Sequence, residues 1–349
     1  MKFQFLAPTK IIMGVDCIRE NAAALADMGK KALIVTGARS AKANGSLTDV
    51  TDALTGNGQE YAVYDKVMSN PTIPCAYEGA ALAREQRVDF VIAIGGGSPM
   101  DAAKAVALLA RQDIPEEKLF SGNYSADVLP IACIPTTAGT GSEVTQYSIL
   151  SNDKAQTKSG LGSPFIFPRY AFLDARYMLG LPRTTTINTA VDALSHSVEG
   201  MLSARSGALT DTLALDSIRG IASCFDAMQG DSVTLEQRES LLYASMLGGL
   251  VIANTGTTAV HAMGYSLTYF KDIDHGRANG LLLPSFLRYV EDRLPERVAS
   301  ILTAMGLDSI DGFKAALDAL FGEPEPLTNE EADRFSAMAA QTKNMDNCL

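Results

Sequence analysis

Short apolar runs alternate with helix-like patterns through the first half of the chain. Mostly apolar runs predict strands at residues 31–36, 60–64, 89–94 and 129–134. Helices are predicted from Ser46 to the Gly-Asn-Gly stop at 56–58, from Asn70 to about Arg87, and from Pro99 onward. This alternation is typical of a parallel sheet that helices cover on both faces, so the first half is predicted to be an α/β domain.

The pattern changes near Leu181. Beyond this point strand-like runs are absent, and apolar residues recur at 3.6-residue spacing over 186–205, 207–228, 234–253, 276–291 and 294–305. We therefore predict an α/β domain at 1–180 and an all-α domain at 181–349. A length of 349 residues exceeds the usual span of one hydrophobic core, which agrees with two domains.

The composition narrows the classes of protein. With 47% hydrophobic and 20% charged residues, the chain is typical of a globular protein. A net charge of −11 argues against nucleic acid or an anionic membrane as partner. The five cysteines are scattered and never form a C-x-x-C pair, which is typical of a reducing compartment. Because no apolar stretch is long enough for a signal peptide or a membrane span, we predict a cytoplasmic protein.

A glycine-rich loop at 95–101 follows a predicted strand and opens a predicted helix. Its sequence, Gly-Gly-Gly-Ser-Pro-Met-Asp, places Ser98 at the N-cap, Pro99 in the first turn and Asp101 at the N3 position. Glycine lets backbone N–H groups approach a phosphate, and the helix N-terminus favours an anion. The loop is not the common G-x-G-x-x-G fingerprint, and an ordinary tight turn is the alternative.

A second polar loop, at 135–143, follows the next predicted strand. It holds Thr136, Thr137 and Thr140 together with two glycines and a serine. Loops at the carboxyl ends of parallel strands line the ligand crevice, so this loop is a second candidate for phosphate binding. The alternative is a polar surface turn.

All the histidines of the chain, His196, His261 and His275, lie within one hundred residues. Asp192 precedes His196 by four residues, which puts a carboxylate and an imidazole one turn apart on one helix face. One carboxylate and three imidazoles suit Zn(II) or Fe(II) and leave room for a substrate oxygen. The alternative is three unrelated core or capping histidines.

Four motifs in order along the chain resemble the iron-containing (group III) alcohol dehydrogenases, in particular their NADP-dependent butanol-dehydrogenase-like members. They are GGGSxxD at 95–101, PTTxGTGSE at 135–143, DALSH at 192–196 and DHGxAN at 274–279. The resemblance, which runs to about residue 290, implies a Rossmann-like dinucleotide domain followed by an all-helical metal-binding domain, the dehydroquinate synthase-like architecture. It also implies a homodimer or higher homo-oligomer.

The same resemblance implies roles for individual residues. The expected metal ligands are Asp192, His196, His261 and His275, with iron favoured over zinc. The expected dinucleotide contacts are Gly37, Ser40, Gly96, Gly97, Ser98, Asp101, Thr136, Thr137, Thr140 and Lys158, the last near the ribose. The implied reaction transfers a hydride between NAD(P)(H) and a small primary alcohol or aldehyde, with the metal easing loss of the alcohol proton.

The chain departs from the family pattern in two places. Many members carry a further histidine, implicated in proton transfer, four residues after the third ligand; here Tyr265 holds that position beside His261, and we count Tyr265, His261 and His275 as catalytic candidates. A tyrosine, with a reference pKa of about 10, is a poorer proton shuttle at neutral pH. The chain also stops at Leu349, where relatives usually continue through a further helix.

The loop after the first predicted strand bears on the choice of dinucleotide. NAD-preferring sites commonly place an acid there, which binds the ribose and repels a 2′-phosphate. Gly37 occupies this position, while Arg39, Ser40 and Lys42 offer donors and positive charge. We therefore predict that NADP(H) is preferred and NAD(H) tolerated; ordinary solvated loop residues are the alternative.

Other functions remain open at this stage. Dehydroquinate synthase-like lyases and glycerol dehydrogenase-like polyol oxidoreductases share the scaffold with fewer histidine ligands. A lyase of that kind would need a cluster of basic residues for a phosphorylated substrate, and no dense cluster lies near the ligands. A non-enzymatic metal-binding protein is disfavoured by the two phosphate-binding loops.

Overall fold

The computed structural model describes residues 3–230 and 232–349. It divides into two compact units. The α/β unit comprises residues 7–137 and 142–180, and the helical unit comprises residues 181–349. The helical unit also takes in the segment that ends at Leu6 and residues 138–141, which the sequence analysis assigned to the first domain. None of the described helices is both long and apolar enough to cross a membrane.

The α/β unit contains a six-stranded sheet whose neighbouring strands are all parallel, in the order β1-β8-β5-β4-β2-β3. The other two strands of the unit, β6 and β7, form a separate antiparallel hairpin. The strands are β1 Lys10–Met13, β2 Lys31–Thr36, β3 Glu60–Tyr64, β4 Phe90–Gly95, β5 Ile131–Pro135, β6 Tyr147–Asn152, β7 Thr157–Gly162 and β8 Tyr170–Leu173. The helices are α1 Cys17–Glu20, α2 Ala23–Ala26, α3 Ser40–Ala43, α4 Ser46–Gly56, α5 Ile73–Glu85 and α6 Gly97–Leu109.

Helices cover both faces of the sheet, as the sequence predicts. In β4, Val91 and Ala93 enter the core formed with α5 and α6. The alternate residues Phe90, Ile92 and Ile94 enter a second core, formed with α1, α2 and α4. Because both faces are buried, the central strands are apolar at every position, which is why continuous apolar runs identified them.

The helical unit contains no strand within its described residues. Its helices are α7 Arg183–Met201, α8 Ala208–Ala222, α9 Phe225–Gln229, α10 Leu235–Thr255, α11 Ala259–Lys271, α12 His275–Glu291, α13 Pro295–Met305, α14 Ile310–Phe321 and α15 Asn329–Ala339. The apolar periodicity over 207–228 is divided between two helices, because the chain breaks between α8 and α9 at Ser223 and Cys224. Helix α11, which carries His261, was not predicted.

The start of α6 differs from the predicted cap. The helix begins at Gly97, and Gly96 is the N-cap with extended backbone angles. The prediction of Ser98 as N-cap is therefore wrong, and Asp101 lies in the second turn rather than at N3. The Ser98 hydroxyl instead accepts a hydrogen bond from the backbone N–H of Asn70, at 3.1 Å. This contact ties the glycine-rich loop to the segment that precedes α5.

A buried polar network centred on Lys104 joins α6 to the chain that follows β5. Lys104 is fully buried, and its Nζ donates to Ser142 Oγ at 2.8 Å, Thr145 Oγ1 at 3.2 Å and the Tyr147 carbonyl at 2.8 Å. Ser142 Oγ in turn donates to Asp101 Oδ1 at 2.8 Å. Burial lowers the pKa of Lys104, while the attraction of Asp101 opposes that shift.

Glu143 lies in the same network as a second buried acid. Burial raises its pKa to about 7, and no described residue hydrogen-bonds to its Oε1. Lys104 is thus the cation that compensates Asp101 and Glu143 in a region otherwise closed to solvent. Buried carboxylates are tolerated only where such a partner is present.

Replacing Lys104 by methionine therefore tests the network. Lys104→Met removes three hydrogen bonds and the buried cation that most strongly compensates Asp101, so we expect the free energy of unfolding, measured in urea, to fall by about 3 to 5 kcal/mol. The exposed Lys118, replaced in the same way, should change it by less than about 0.5 kcal/mol. Equal effects of the two substitutions would contradict a stabilising role for Lys104.

Candidate metal centre and dinucleotide-binding loops

Four side chains from three helices of the helical unit converge on one point. Asp192 and His196 lie one turn apart on α7, His261 lies in the first turn of α11, and His275 is the first residue of α12. The Oδ1 atom of Asp192 is 3.8 Å from Nε2 of each of the three histidines. Ligand atoms of Asp192, His261 and His275 all lie within 4.8 Å of one another. Three of the four predicted ligands thus form one group, and His196 adjoins it through its 3.8 Å approach to Asp192.

These residues fit a divalent metal ion. Four ligands at bonds of about 2.1 Å lie about 3.4 Å apart in a tetrahedron. The distance from Asp192 Oδ1 to each imidazole nitrogen, 3.8 Å, is near that value. Burial lowers the pKa of His196 to about 4, so its imidazole is neutral at pH 7 and can offer a lone pair. Burial alone would raise the pKa of Asp192, but the three imidazoles outweigh it and lower that pKa, which keeps the carboxylate charged.

Two glycines allow the helices to approach closely enough for this convergence. A Cβ atom on Gly276, the residue after His275, would overlap the backbone carbonyl oxygen of Asn188 on α7. A Cβ on Gly264, in α11, would overlap Oδ1 of Asn279 on α12. A larger residue at position 276 would therefore push α12 away from α7, whereas at position 264 it would displace the side chain of Asn279.

Glu199 is a buried partner of His261 to which the sequence analysis assigned no role. Its carboxylate hydrogen-bonds with His261 Nδ1, and it accepts from the backbone N–H and the hydroxyl of Thr258 at 2.8 and 2.7 Å. Burial alone would raise the pKa of Glu199, but His261 and Thr258 outweigh it and lower that pKa. A carboxylate on the second imidazole nitrogen fixes the tautomer and orients the first nitrogen toward a metal.

The sequence does contain a signal for Glu199. It follows Asp192 by seven residues and His196 by three, so the three side chains share one face of α7. The site also involves Asn279, which appears in the DHGxAN motif without an assigned role. Its Nδ2 lies 3.1 Å from Asp192 Oδ1.

Tyr265 lies beside His275, the last of the four predicted ligands. Its ring stacks on that of His275, with centroids 5.8 Å apart and planes 14° from parallel. The position four residues after His261 therefore faces the cluster, which agrees with the sequence expectation for its location.

In the α/β unit, the predicted dinucleotide loops begin at one edge of the sheet. Gly95 pairs with Pro135 in the register of β4 and β5, and the Thr136 N–H donates to the Gly95 carbonyl at 2.9 Å. A Cβ on Gly96 would lie 2.9 Å from Thr137 Oγ1, so the two loops are in direct contact. Gly37 follows β2 at the same edge, and Ser40 begins α3.

Three other residues predicted to contact the dinucleotide, Asp101, Lys158 and Thr140, lie outside this pair of adjoining loop starts. The Asp101 carboxylate accepts from Ser142 and, at 3.1 Å, from the Ile149 N–H, so it is occupied within the unit. Lys158 lies on β7 and is half-buried opposite Ser151. Thr140 belongs to residues 138–141 of the helical unit, where the flanking glycines approach α7 at Thr189 and α10 at Gly249.

Comparison with known proteins agrees with this arrangement. The family described as iron-containing alcohol dehydrogenase matches residues 8–175, and the C-terminal part of the Fe-containing alcohol dehydrogenase family matches residues 186–328. Lactaldehyde reductase of Escherichia coli (strain K12) is 34% identical over 303 residues, 84% of this chain and 78% of that protein. The 1,3-propanediol dehydrogenase of Klebsiella pneumoniae is 33% identical over 330 residues, 91% of this chain and 84% of that protein.

Solved structures show the same likeness. An iron-containing alcohol dehydrogenase from Thermotoga maritima superposes with a TM-score of 0.91 at 38% identity, covering 99% of this chain and 95% of that one. The sequence-based prediction of family, fold and reaction class is confirmed. The chain belongs to the iron-containing alcohol dehydrogenase family and is a metal-dependent oxidoreductase that acts on small alcohols, with the iron and NAD(P) that its family implies.

Proposed function

We propose that this chain interconverts small primary alcohols and their aldehydes, with Asp192, His196, His261 and His275 as the metal ligands. The observation that carries this proposal is that one carboxylate oxygen, Asp192 Oδ1, lies 3.8 Å from an Nε2 atom of each of three imidazoles, in a cluster that is buried except at His275. A divalent ion there would supply Lewis acidity, which eases loss of a proton from an alcohol and polarises an aldehyde carbonyl. The family assignment favours this reaction over a lyase or a non-enzymatic metal protein.

The surrounding side chains each have a part in this proposal. Glu199 orients His261 and increases the basicity of its ligating nitrogen. His275 is 25% exposed, whereas the side chains of the other three ligands are 5% exposed or less, so substrate would approach from the His275 side. Tyr265, stacked on His275, lies where its hydroxyl can hold a substrate oxygen or pass a proton.

The ligand set predicts the outcome of alanine substitution. His261→Ala should lose its bound metal, and turnover of butanal with NAD(P)H should fall by more than the roughly 10- to 100-fold that loss of an outer hydrogen-bond partner costs. Asn254→Ala is the matched control, since Asn254 is partly buried in the same unit and bonds to Leu6. Full metal occupancy in His261→Ala, measured by elemental analysis on a folded sample, would exclude His261 as a ligand.

The proposed role of Tyr265 in proton transfer predicts how turnover depends on pH. A tyrosine hydroxyl, with a reference pKa of about 10, accepts a proton only at high pH, whereas an imidazole does so near pH 6.5. In Tyr265→His the rising limb of the pH profile for alcohol oxidation should therefore move toward neutrality. Tyr269→His, on the same helix but packed on Phe270, should leave the profile in place. A profile that is identical in both variants would show that the proton leaves by another route.

We further propose that NADP(H) is preferred over NAD(H). The position that would carry a repelling acid is Gly37, and the exposed Arg39 and Ser40 follow it. Lys42 contributes less positive charge to this loop than the sequence alone suggests. Its Nζ pairs with Asp65 Oδ2 at 2.7 Å, which partly neutralises its charge. Arg39 is therefore the main cation proposed to meet a 2′-phosphate, because its guanidinium matches phosphate geometry.

Substituting Gly37 tests this preference. Gly37→Asp adds the missing acid, and because its Cβ would lie 3.3 Å from the Val67 carbonyl, the loop accommodates it with a shift of a few tenths of an ångström. We expect the ratio of kcat/KM for NADPH to that for NADH to fall by about 10-fold or more, which is 1.4 kcal/mol. Gly56→Asp, an exposed site with open space around its Cα, adds the same charge away from the loop and should leave the ratio unchanged. A wild type that strongly prefers NADH would refute the proposal.

A further inference from the structure

The 343–348 segment is attached to the chain just beyond the end of α7. The backbone carbonyl of Asn347 accepts a hydrogen bond from the Ala204 N–H at 2.8 Å. The next residue, Cys348, forms an antiparallel β-bridge with Ser203. The backbone of the segment is therefore fixed to the same helix that carries two of the proposed ligands.

The side chains of the same segment bind the turn at 256–258, which joins α10 to α11. Asn347 Nδ2 donates to the Thr257 carbonyl at 2.9 Å, and Asn344 Nδ2 donates to Thr257 Oγ1 at 2.6 Å. Gly256 has a φ of 68°, and a Cβ atom there would lie 2.5 Å from Asn347 Nδ2, so this amide packs on bare backbone. Two amides thus hold the turn that leads into α11.

This turn determines where His261 lies relative to Glu199. Thr258, the N-cap of α11, makes no side-chain cap; its backbone N–H and its hydroxyl both donate to Glu199 Oε1 instead, at 2.8 and 2.7 Å. The His261 N–H approaches the same oxygen at 3.3 Å, while its ring Nδ1 hydrogen-bonds with Oε2. One carboxylate therefore caps α11 and orients the imidazole, so a shift of the turn changes both contacts.

The Asn347 side chain contributes more to the position of the turn than to the stability of the fold. It is buried, and its Oδ1 has no hydrogen-bond partner among the described residues. The desolvation cost of an unsatisfied buried carbonyl is at least as large as the net gain from one neutral hydrogen bond. The bond from Nδ2 to Thr257 therefore fixes the turn without adding much to the free energy of unfolding.

We propose that Asn344 and Asn347 are positioning residues for the metal site. By holding the turn before α11, they keep Glu199 in the place from which it aims His261 at the ion. This inference rests on the proposed ligand set. The hydrogen bonds of both amides go to Thr257, so they act on the ligands through the turn. When the turn loosens, every ligand is still present, but the site is less preorganised and binds the ion more weakly.

The test measures the affinity of folded protein for Co(II) by chelator competition. Asn347→Ala removes one donor to the turn, and Thr257→Val removes the hydroxyl that accepts from Asn344. Loss of a direct outer partner costs about 10- to 100-fold in metal affinity. Because these contacts lie one step further from the ligands, we expect each variant to bind Co(II) about 3- to 10-fold more weakly. Thr257→Ser, which keeps the hydroxyl, should restore the affinity of the wild type.

A second readout needs no metal. Hydrogen exchange of residues 256–262 in metal-free protein reports the N–H groups that Glu199 holds. Exchange there should become faster in Asn347→Ala and in Thr257→Val. Ser309→Ala is the matched control, because it removes the N-cap of α14 and so destabilises the same unit without touching the turn. It should leave both the exchange of this peptide and the Co(II) affinity unchanged.

The outcomes separate this inference from the ligand set. Wild-type protein that binds no Co(II) would overturn the ligand set, and the inference with it. Wild-type binding with unchanged affinity in Asn347→Ala and Thr257→Val would overturn the inference alone, whether or not exchange becomes faster. An equal loss of affinity in Ser309→Ala would also overturn it, because affinity would then follow overall stability rather than the position of the turn.

Discussion

The requirement that four ligand atoms from three helices meet at one buried point governs the helical unit. It forces α12 against the backbone of α7 at Gly276, and α11 against α12 at Gly264. It also places two carboxylates, Asp192 and Glu199, on one face of a buried helix, where an unpaired charge is costly. Glu199 is compensated by His261 and Thr258. Asp192 has imidazoles and an amide around it, and a divalent cation is the partner that would balance its charge fully.

The α/β unit also buries charged groups, and it compensates them with its own side chains. Its parallel strands end at one edge, which brings the glycine-rich loop and the Thr136 loop into contact. The chain after that loop must return across α6, and Lys104 holds it there through Ser142, Thr145 and Tyr147. Asp101, which is predicted to contact the dinucleotide, accepts hydrogen bonds from Ser142 and Ile149 within this network. A fixed loop loses less entropy on binding a ligand, so the buried network would favour the phosphate binding proposed for these loops.

Sequence patterns predicted the elements whose structure depends mainly on residues that are close together in the chain. Strands β2 and β3 have the predicted bounds, since both depend on short runs between clear turn signals. The β6–β7 hairpin was missed because its strands are half polar and lack a tight two-residue turn signal. Helix α11 was missed because both of its ends lie in loops with little capping signal: Thr258 makes no side-chain cap, and Asp272 ends the helix in a left-handed conformation.

The candidate site also contains both residues that sequence spacing reveals and residues that only the packing of helices brings in. Asp192 and His196 form a pair that spacing alone reveals, and Glu199 continues that face by one more turn. Asn279 and Lys104 have no such signal, because their partners lie 87 and 38 residues away in sequence. The contact of each depends on how helices pack, which a single sequence does not display.

If the helical unit is built around one divalent ion per chain, adding that ion to metal-free protein must stabilise the fold. Thermal unfolding of metal-free protein during titration with Fe(II), under anaerobic conditions, measures this stabilisation. A ligand that binds only the folded state stabilises it by about 2.7 kcal/mol at a concentration 100 times its Kd. We expect a rise in Tm that saturates at one ion per chain and disappears when a chelator is added. A Tm that does not respond to metal, in protein shown to be folded, would contradict it.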